Sequence, residues 1–241
     1  MRFTAEIILK GKPILPISYK KNFTRLIKES ISPNTFQKYF SDRKKNLQKP
    51  FTFSVSFIVE STNPESEVFF LKNNKIVFHF SSNDSGFFSE VYNGLVYLGK
   101  GYCLFGDGEI YVKKFYLEKS LKINSEEIVF KTHSPILVRN TENKMGKGSI
   151  SFEDKNFHEF LFYSIQNLCK NFIGNDYNLK PDQVEVTIVK CKKDIINHYG
   201  FEMGTSGIIK IKAPIEVLQL VYDIGLGAKR SQGFGMLEVL A

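Results

Sequence analysis

EVFFLKNNKIVFHFSSNDSGFFSEVYNGLVYL, Glu67–Leu98, is the stretch on which the fold turns. Two runs rich in Val, Ile and Phe flank Asn73-Asn74, a dipeptide suited to a tight turn, so Glu67–Ser82 reads as a β-hairpin. Asp84–Leu98 then reads as a helix. Working back from this β-β-α block, Pro50–Glu60 (PFTFSVSFIVE) reads as one long strand. Tyr19–Ile31 carries Phe23, Leu26, Ile27 and Ile31 at helical spacing, an amphipathic helix that Ser32-Pro33 ends. Asn34 then caps a short helical piece, TFQKYF. Arg2–Leu9 alternates as a first strand, and Gly108–Lys119 reads as a strand after the second helix. The order is β-α-β-β-α-β, that of a ferredoxin-like unit.

The second half carries the same order. Ile128–Asn140 is extended, Phe157–Ile173 is a strongly apolar helix, and Val184–Ile196 and Gly207–Pro214 read as paired strands. Pro214 starts a helix over Ile215–Gly225, and Met236–Leu240 closes the series. The expected class is therefore α+β: two tandem ferredoxin-like (RRM-like) units, 1–119 and 127–241, with a glycine-rich loop at 225–235. Units of this topology are a common platform for RNA.

Charge is informative by position. The chain has 241 residues with 33 Lys/Arg and 25 Asp/Glu, a net +8. Residues 1–50 hold twelve Lys/Arg against three Asp/Glu, and the remainder is close to balance. This asymmetry points to a polyanion partner, nucleic acid ahead of membrane. A hydrophobic fraction of 42% supports a packed core. No apolar run approaches the roughly 18 residues of a membrane span, and the alternating N-terminus is unlike a signal peptide. Cys103, Cys169 and Cys191 lack CxxC spacing and read as reduced, mostly core thiols of a cytoplasmic protein.

GLGAKRSQGFGMLEVL, Gly225–Leu240, places four glycines around a lysine, an arginine, a serine and a glutamine. Glycine admits positive φ and close backbone approach. Successive N–H groups in such loops can bind anions, and Lys229 and Arg230 add charge. The loop reads as a phosphate-backbone clamp built from Gly225, Gly227, Lys229, Arg230, Ser231, Gln232, Gly233 and Gly235. It is not a Walker loop, since the glycines precede a strand and G-x-x-x-x-G-K-[ST] is absent.

The loop resembles the C-terminal glycine motif of the RAMP superfamily of CRISPR-associated proteins. Together with the MRF start, LPISYKKNFTRLI, KPFTFSVS and SPILVR, the chain is most similar to the repeat-processing endoribonucleases, the Cas-six family. The resemblance implies a metal-independent cut in CRISPR repeat RNA, with no cofactor. The ribose 2′-OH attacks the adjacent phosphate and leaves a 2′,3′-cyclic phosphate and a 5′-OH. The expected partners are CRISPR repeat RNA and no membrane, with effector-complex subunits and a second copy of the chain left open. A non-cleaving RNA-binding homologue and a RAMP subunit of an effector complex are the alternatives.

Many family members carry a catalytic histidine near the end of the first helical region. Here none precedes His79, and Ser41 stands near that place. Lys21, Arg25 and Lys28 recur at i, i+4 and i+7 on one face of the first helix. Lys28, Arg230 and Lys49 are the catalytic candidates, Lys28 for charge stabilisation or acid catalysis first and as base second. Lys49 matches a family position where lysine assists. Lys21, Arg25 and the loop residues are expected to hold RNA. Tyr39 reads as a core aromatic ahead of a hydroxyl donor. His133 reads as structural, His158 as a helix-start surface residue and His198 as an exposed loop residue, while Arg139 reads equally as part of the RNA surface or as a plain surface arginine.

Overall fold

The computed structural model describes residues 1–41, 47–106, 108–140, 148–198 and 200–240. The chain divides into two compact units, Met1–Ser120 and Leu121–Ala241. Arg43, Lys44 and Lys45, part of the N-terminal basic excess, lie outside the described residues.

The first unit runs β1 (Arg2–Lys10), β2 (Ile14–Pro16), α1 (Tyr19–Glu29), α2 (Pro33–Phe36) with a π-helical turn Gln37–Ser41, β3 (Phe51–Ser56), β4 (Val59–Asn63), β5 (Val68–Leu71), β6 (Lys75–Ser82), α3 (Ser85–Leu98), β7 (Tyr102–Phe105) and β8 (Gly108–Leu117). Its main sheet has the order β3-β6-β1-β8-β7, all neighbours antiparallel. Without the added edge strand β7 this is the ferredoxin-like arrangement, with β1 between β6 and β8. The pairs Phe3↔Phe80, Ala5↔Phe78 and Ile7↔Ile76 fix the register and put one apolar face on the helices. Phe3, Phe23, Phe51, Phe53, Phe78 and Phe80 are fully buried there. Each contributes about 1.5–3 kcal/mol of burial, and the rings stack, as Phe23 does on Phe78 at 5.5 Å.

Three expectations are corrected. The Asn73-Asn74 turn does not close a hairpin: β5 pairs with β2 and β4 in a separate three-stranded sheet, while β6 pairs with β1 and β3. The strand expected over 50–60 is two strands, because the chain leaves the main sheet after Ser56 and enters the smaller one at Val59. The cap of α2 is Ser32, whose Oγ accepts from the Thr35 amide at 3.3 Å, and Pro33 opens the helix in place of Asn34.

The second unit runs β9 (Glu127–Thr132), β10 (Val138–Arg139), β11 (Ser149–Ile150), α4 (Phe157–Phe172), β12 (Glu185–Asn197), β13 (Phe201–Lys212), α5 (Ile215–Ile224) and β14 (Leu237–Val239). Its sheet order, β12-β13-β9-β14, is again ferredoxin-like. α4 and α5 bury Leu161, Ile165, Leu168, Val217, Leu218 and Val221 against it. The fold is thus two tandem ferredoxin-like units.

Candidate nucleic-acid interface

On the first unit, α1 buries Phe23, Leu26 and Ile27, which leaves Lys21, Arg25 and Lys28 on its outer side. The three cations do different things. Lys21 is half-buried. Arg25 is tied to β7: its Nη2 donates to the carbonyls of Cys103 (3.0 Å) and Leu104 (2.6 Å), its Nε faces Glu29 at 3.7 Å, and its guanidinium lies over Tyr102. Lys28 reaches toward the π-helical turn, where its Nζ lies 5.2 Å from the centre of the Phe40 ring. Lys49, which precedes β3, brings its Nζ to 5.9 Å from the same ring and donates to the Leu47 carbonyl at 2.9 Å. Burial, and then the charge of Lys28, push the Lys49 ammonium below its ordinary value. The fold therefore gathers two of the three catalytic candidates at one aromatic side chain.

The segment bearing Phe40 is held on α3 by two carboxylates. Glu90 accepts from the Ser32 amide (2.8 Å), the Ser32 hydroxyl (3.2 Å) and the Thr35 hydroxyl (2.8 Å). Asp84 caps α3 through the Phe87 amide (2.9 Å) and accepts from the Tyr39 hydroxyl (2.8 Å). Tyr39 is thus half-buried and engaged, and Ser41 ends the turn exposed, its hydroxyl bonded to the Gln37 carbonyl. Lys20, which the sequence reading does not single out, is buried on the inner side of α1, and burial pushes its ammonium down to about 7.

On the second unit the glycine segment is woven into the fold. Gly225, Gly227, Gly233 and Gly235 all have φ between +68° and +87° and are buried. A Cβ on Gly235 would meet the Leu226 carbonyl at 1.9 Å, and one on Gly227 the Leu137 carbonyl at 2.5 Å. Several amides of the segment are committed to protein carbonyls: Leu226 to Gly235 (2.8 Å), Ala228 to Leu137 (2.7 Å), Gly233 to Arg230 (3.1 Å) and Gly235 to Pro135 (2.9 Å). Close backbone approach is what the glycines permit, but the backbone approached is the chain's own.

The loop side chains follow suit. Arg230 is buried, donates from Nη1 to the Ile224 carbonyl at 2.7 Å and lies over Phe172 at 5.8 Å; burial pushes its guanidinium down to about 9. Lys229 is paired with Glu202, which also accepts from the Ser149 hydroxyl at 2.7 Å. Burial pushes the Glu202 carboxyl up, and the bonds from Lys229 and Ser149 outweigh this and hold it below its ordinary value. Gln232 Oε1 is 2.8 Å from His198 Nε2, and Ser231 is half-buried. His198, expected to be exposed, is buried against Phe234 at 5.1 Å, because the loop closes over it. His133 lies 3.3 Å from Glu238, His158 is exposed at the start of α4, and Arg139 is exposed. Cys103 is exposed and Cys191 half-buried, so only Cys169 is a core thiol.

Among the described residues no group of three or more His, Cys, Asp or Glu side chains could hold a metal ion. Among them, too, no helix is long and apolar enough to cross a membrane.

The model of the CRISPR-associated protein Cas6 C-terminal domain matches residues 117–239. The CRISPR-associated endoribonuclease Cas6 of Pyrococcus furiosus is 26% identical over 200 residues, covering 79% of this chain and 70% of the relative. The CRISPR-associated endoribonuclease Cas6 1 of Methanocaldococcus jannaschii is 24% identical over 245 residues, covering 98% and 92%. A solved RAMP protein that binds different RNA substrates superposes with a TM-score of 0.79 at 20% identity over the whole of both chains. The chain belongs to the Cas6 family of CRISPR-associated proteins.

Proposed function

We propose that this protein binds CRISPR repeat RNA in the cytoplasm and cuts it without a metal ion. The observation that carries the reading is the meeting of Lys28 and Lys49 at Phe40 in a chain of the Cas6 family. The 2′-oxygen attacks the adjacent phosphorus, its proton passes to a base, the P–O5′ bond breaks, and an acid protonates the departing oxygen. A 2′,3′-cyclic phosphate and a 5′-OH result. Cations matter most where charge grows on the equatorial oxygens, and Lys28 and Lys49 take this part. Lys49, its ammonium already depressed, is the better placed of the two to give up a proton. Lys21 and the rim of the basic first unit hold the RNA backbone. Arg230, committed to Ile224 and Phe172, is assigned to hold the glycine loop in shape.

The test is incubation of labelled repeat RNA with the protein in EDTA, beside a repeat carrying one 2′-deoxy nucleotide upstream of the cut. The natural RNA should be cleaved and the deoxy substrate bound but left whole. Cutting of the deoxy substrate, or dependence on added metal, would end this reading. One observation favours RNA binding without cleavage instead: no histidine precedes His79. Binding with no product in the same assay would establish that reading.

A further inference from the structure

Phe40 sits where two lysines from different elements converge. Lys28 projects from α1 and Lys49 from the segment before β3, and both ammonium groups lie within the ~6 Å at which a cation is drawn to a ring face. Two like charges at one place repel, and Lys28 contributes to the depression of Lys49. Among the described residues, neither lysine forms an ion pair with a carboxylate. A carboxylate there would neutralise the charge that an RNA phosphate is meant to meet. A π face attracts both cations and leaves their formal charge intact.

The ring is itself fixed. Phe36 stacks on it at 5.7 Å and Phe51 packs beside it at 6.4 Å. Its neighbour Tyr39 is bonded to Asp84, and Ser32 and Thr35 at the start of the same segment are bonded to Glu90. A half-buried phenylalanine anchored in this way sets where two long, flexible side chains end.

We infer that Phe40 is a positioning residue whose ring holds the ammonium groups of Lys28 and Lys49 together as a paired cation for one RNA phosphodiester. The inference rests on the nuclease reading for its consequence and on the lysine–ring geometry for its cause. The two are tested separately.

Phe40→Leu keeps an apolar side chain and removes the π face; Phe40→Tyr keeps the face. In single-turnover cleavage at saturating protein, Phe40→Leu should cut about 10- to 100-fold more slowly, the scale of a misplaced reacting group. Its affinity for the repeat should change little, and Phe40→Tyr should restore the rate. Equal rates for Phe40→Leu and wild type, or equal losses for the Leu and Tyr variants, would overturn the assignment. A second readout needs no cleavage. In the wild-type protein the Hε protons of Lys28 and Lys49 should resonate upfield from ring-current shielding, and Phe40→Leu should return them to ordinary positions. Unshifted lysines in wild type would overturn the assignment whatever the RNA does. A wild type that binds the repeat and never cuts it defeats the nuclease reading alone, and the lysine shifts then decide the role of Phe40.

Discussion

Lys20 and Arg230 show how far a cation's type and its task diverge. In the sequence both belong to basic stretches that read as RNA-facing; in the fold both are buried, at 7% exposure each. Helical phase does distinguish Lys20, which shares the inner side of α1 with Phe23 and Ile27 while Lys21, Arg25 and Lys28 do not. The convergence of Lys28 and Lys49 is not legible in this way, because it depends on Phe40 and on three separate elements meeting. Replacing Lys20 by Met should therefore raise stability, since it removes the cost of holding a charge out of water. The folded ammonium titrates at about 7 and the unfolded one near 10.4. Between those values the unfolded chain binds more protons, so wild-type stability climbs with pH. The gain from Lys20→Met, on the order of 4 kcal/mol, should be largest at or below pH 7 and shrink toward pH 10. Urea midpoints at pH 6, 8 and 9.5 give the trend; a gain independent of pH would mean that the folded ammonium titrates where the unfolded one does and that burial does not depress it.

At the scale of the element, local pattern finds strands and helices, and long-range pairing chooses their partners. Asn73-Asn74 does turn the chain, and Asn73 Oδ1 accepts from the Lys75 amide at 3.0 Å. β6 nevertheless turns away from β5, because Ile76, Phe78 and Phe80 fit the apolar residues of β1 and β3. The glycine segment is the second case. Its composition identifies a place of close approach and positive φ, and only tertiary structure reveals that the approaching groups are the Leu137, Pro135 and Leu226 backbones. Its glycines should accordingly behave as fold residues. Gly235→Ala combines φ +68° with a carbonyl 1.9 Å from the new Cβ and should cost about 2–4 kcal/mol. Gly11→Ala is the control, with φ +88° and nothing within 4 Å of the new Cβ, and should cost roughly 1 kcal/mol. Equal losses in the two variants, read from denaturation midpoints, would show that the loop gives way freely and is not packed as described.

At the scale of the whole molecule, two units of the same topology differ in charge, and the difference predicts how RNA binding responds to salt. The basic excess lies in residues 1–50, the part of the chain that supplies Lys21, Lys28 and Lys49. In the second unit Lys229 is neutralised by Glu202, and Arg230 is spent on Ile224 and Phe172. Each lysine that meets a phosphate releases a counterion, and for single-stranded RNA each should contribute about 0.7 to the slope of log K against log salt. Alanine at Lys21, Lys28 and Lys49 together should therefore flatten the slope by roughly 2 and weaken binding most at low salt. Arg230→Met should leave the slope unchanged while lowering the melting temperature, because its guanidinium supports the loop. A titration of labelled repeat RNA from low to moderate salt, run on both variants, separates the two roles. If Arg230→Met flattens the slope as one phosphate contact would, this arginine leaves its buried site to meet RNA, and the glycine loop is an RNA clamp after all.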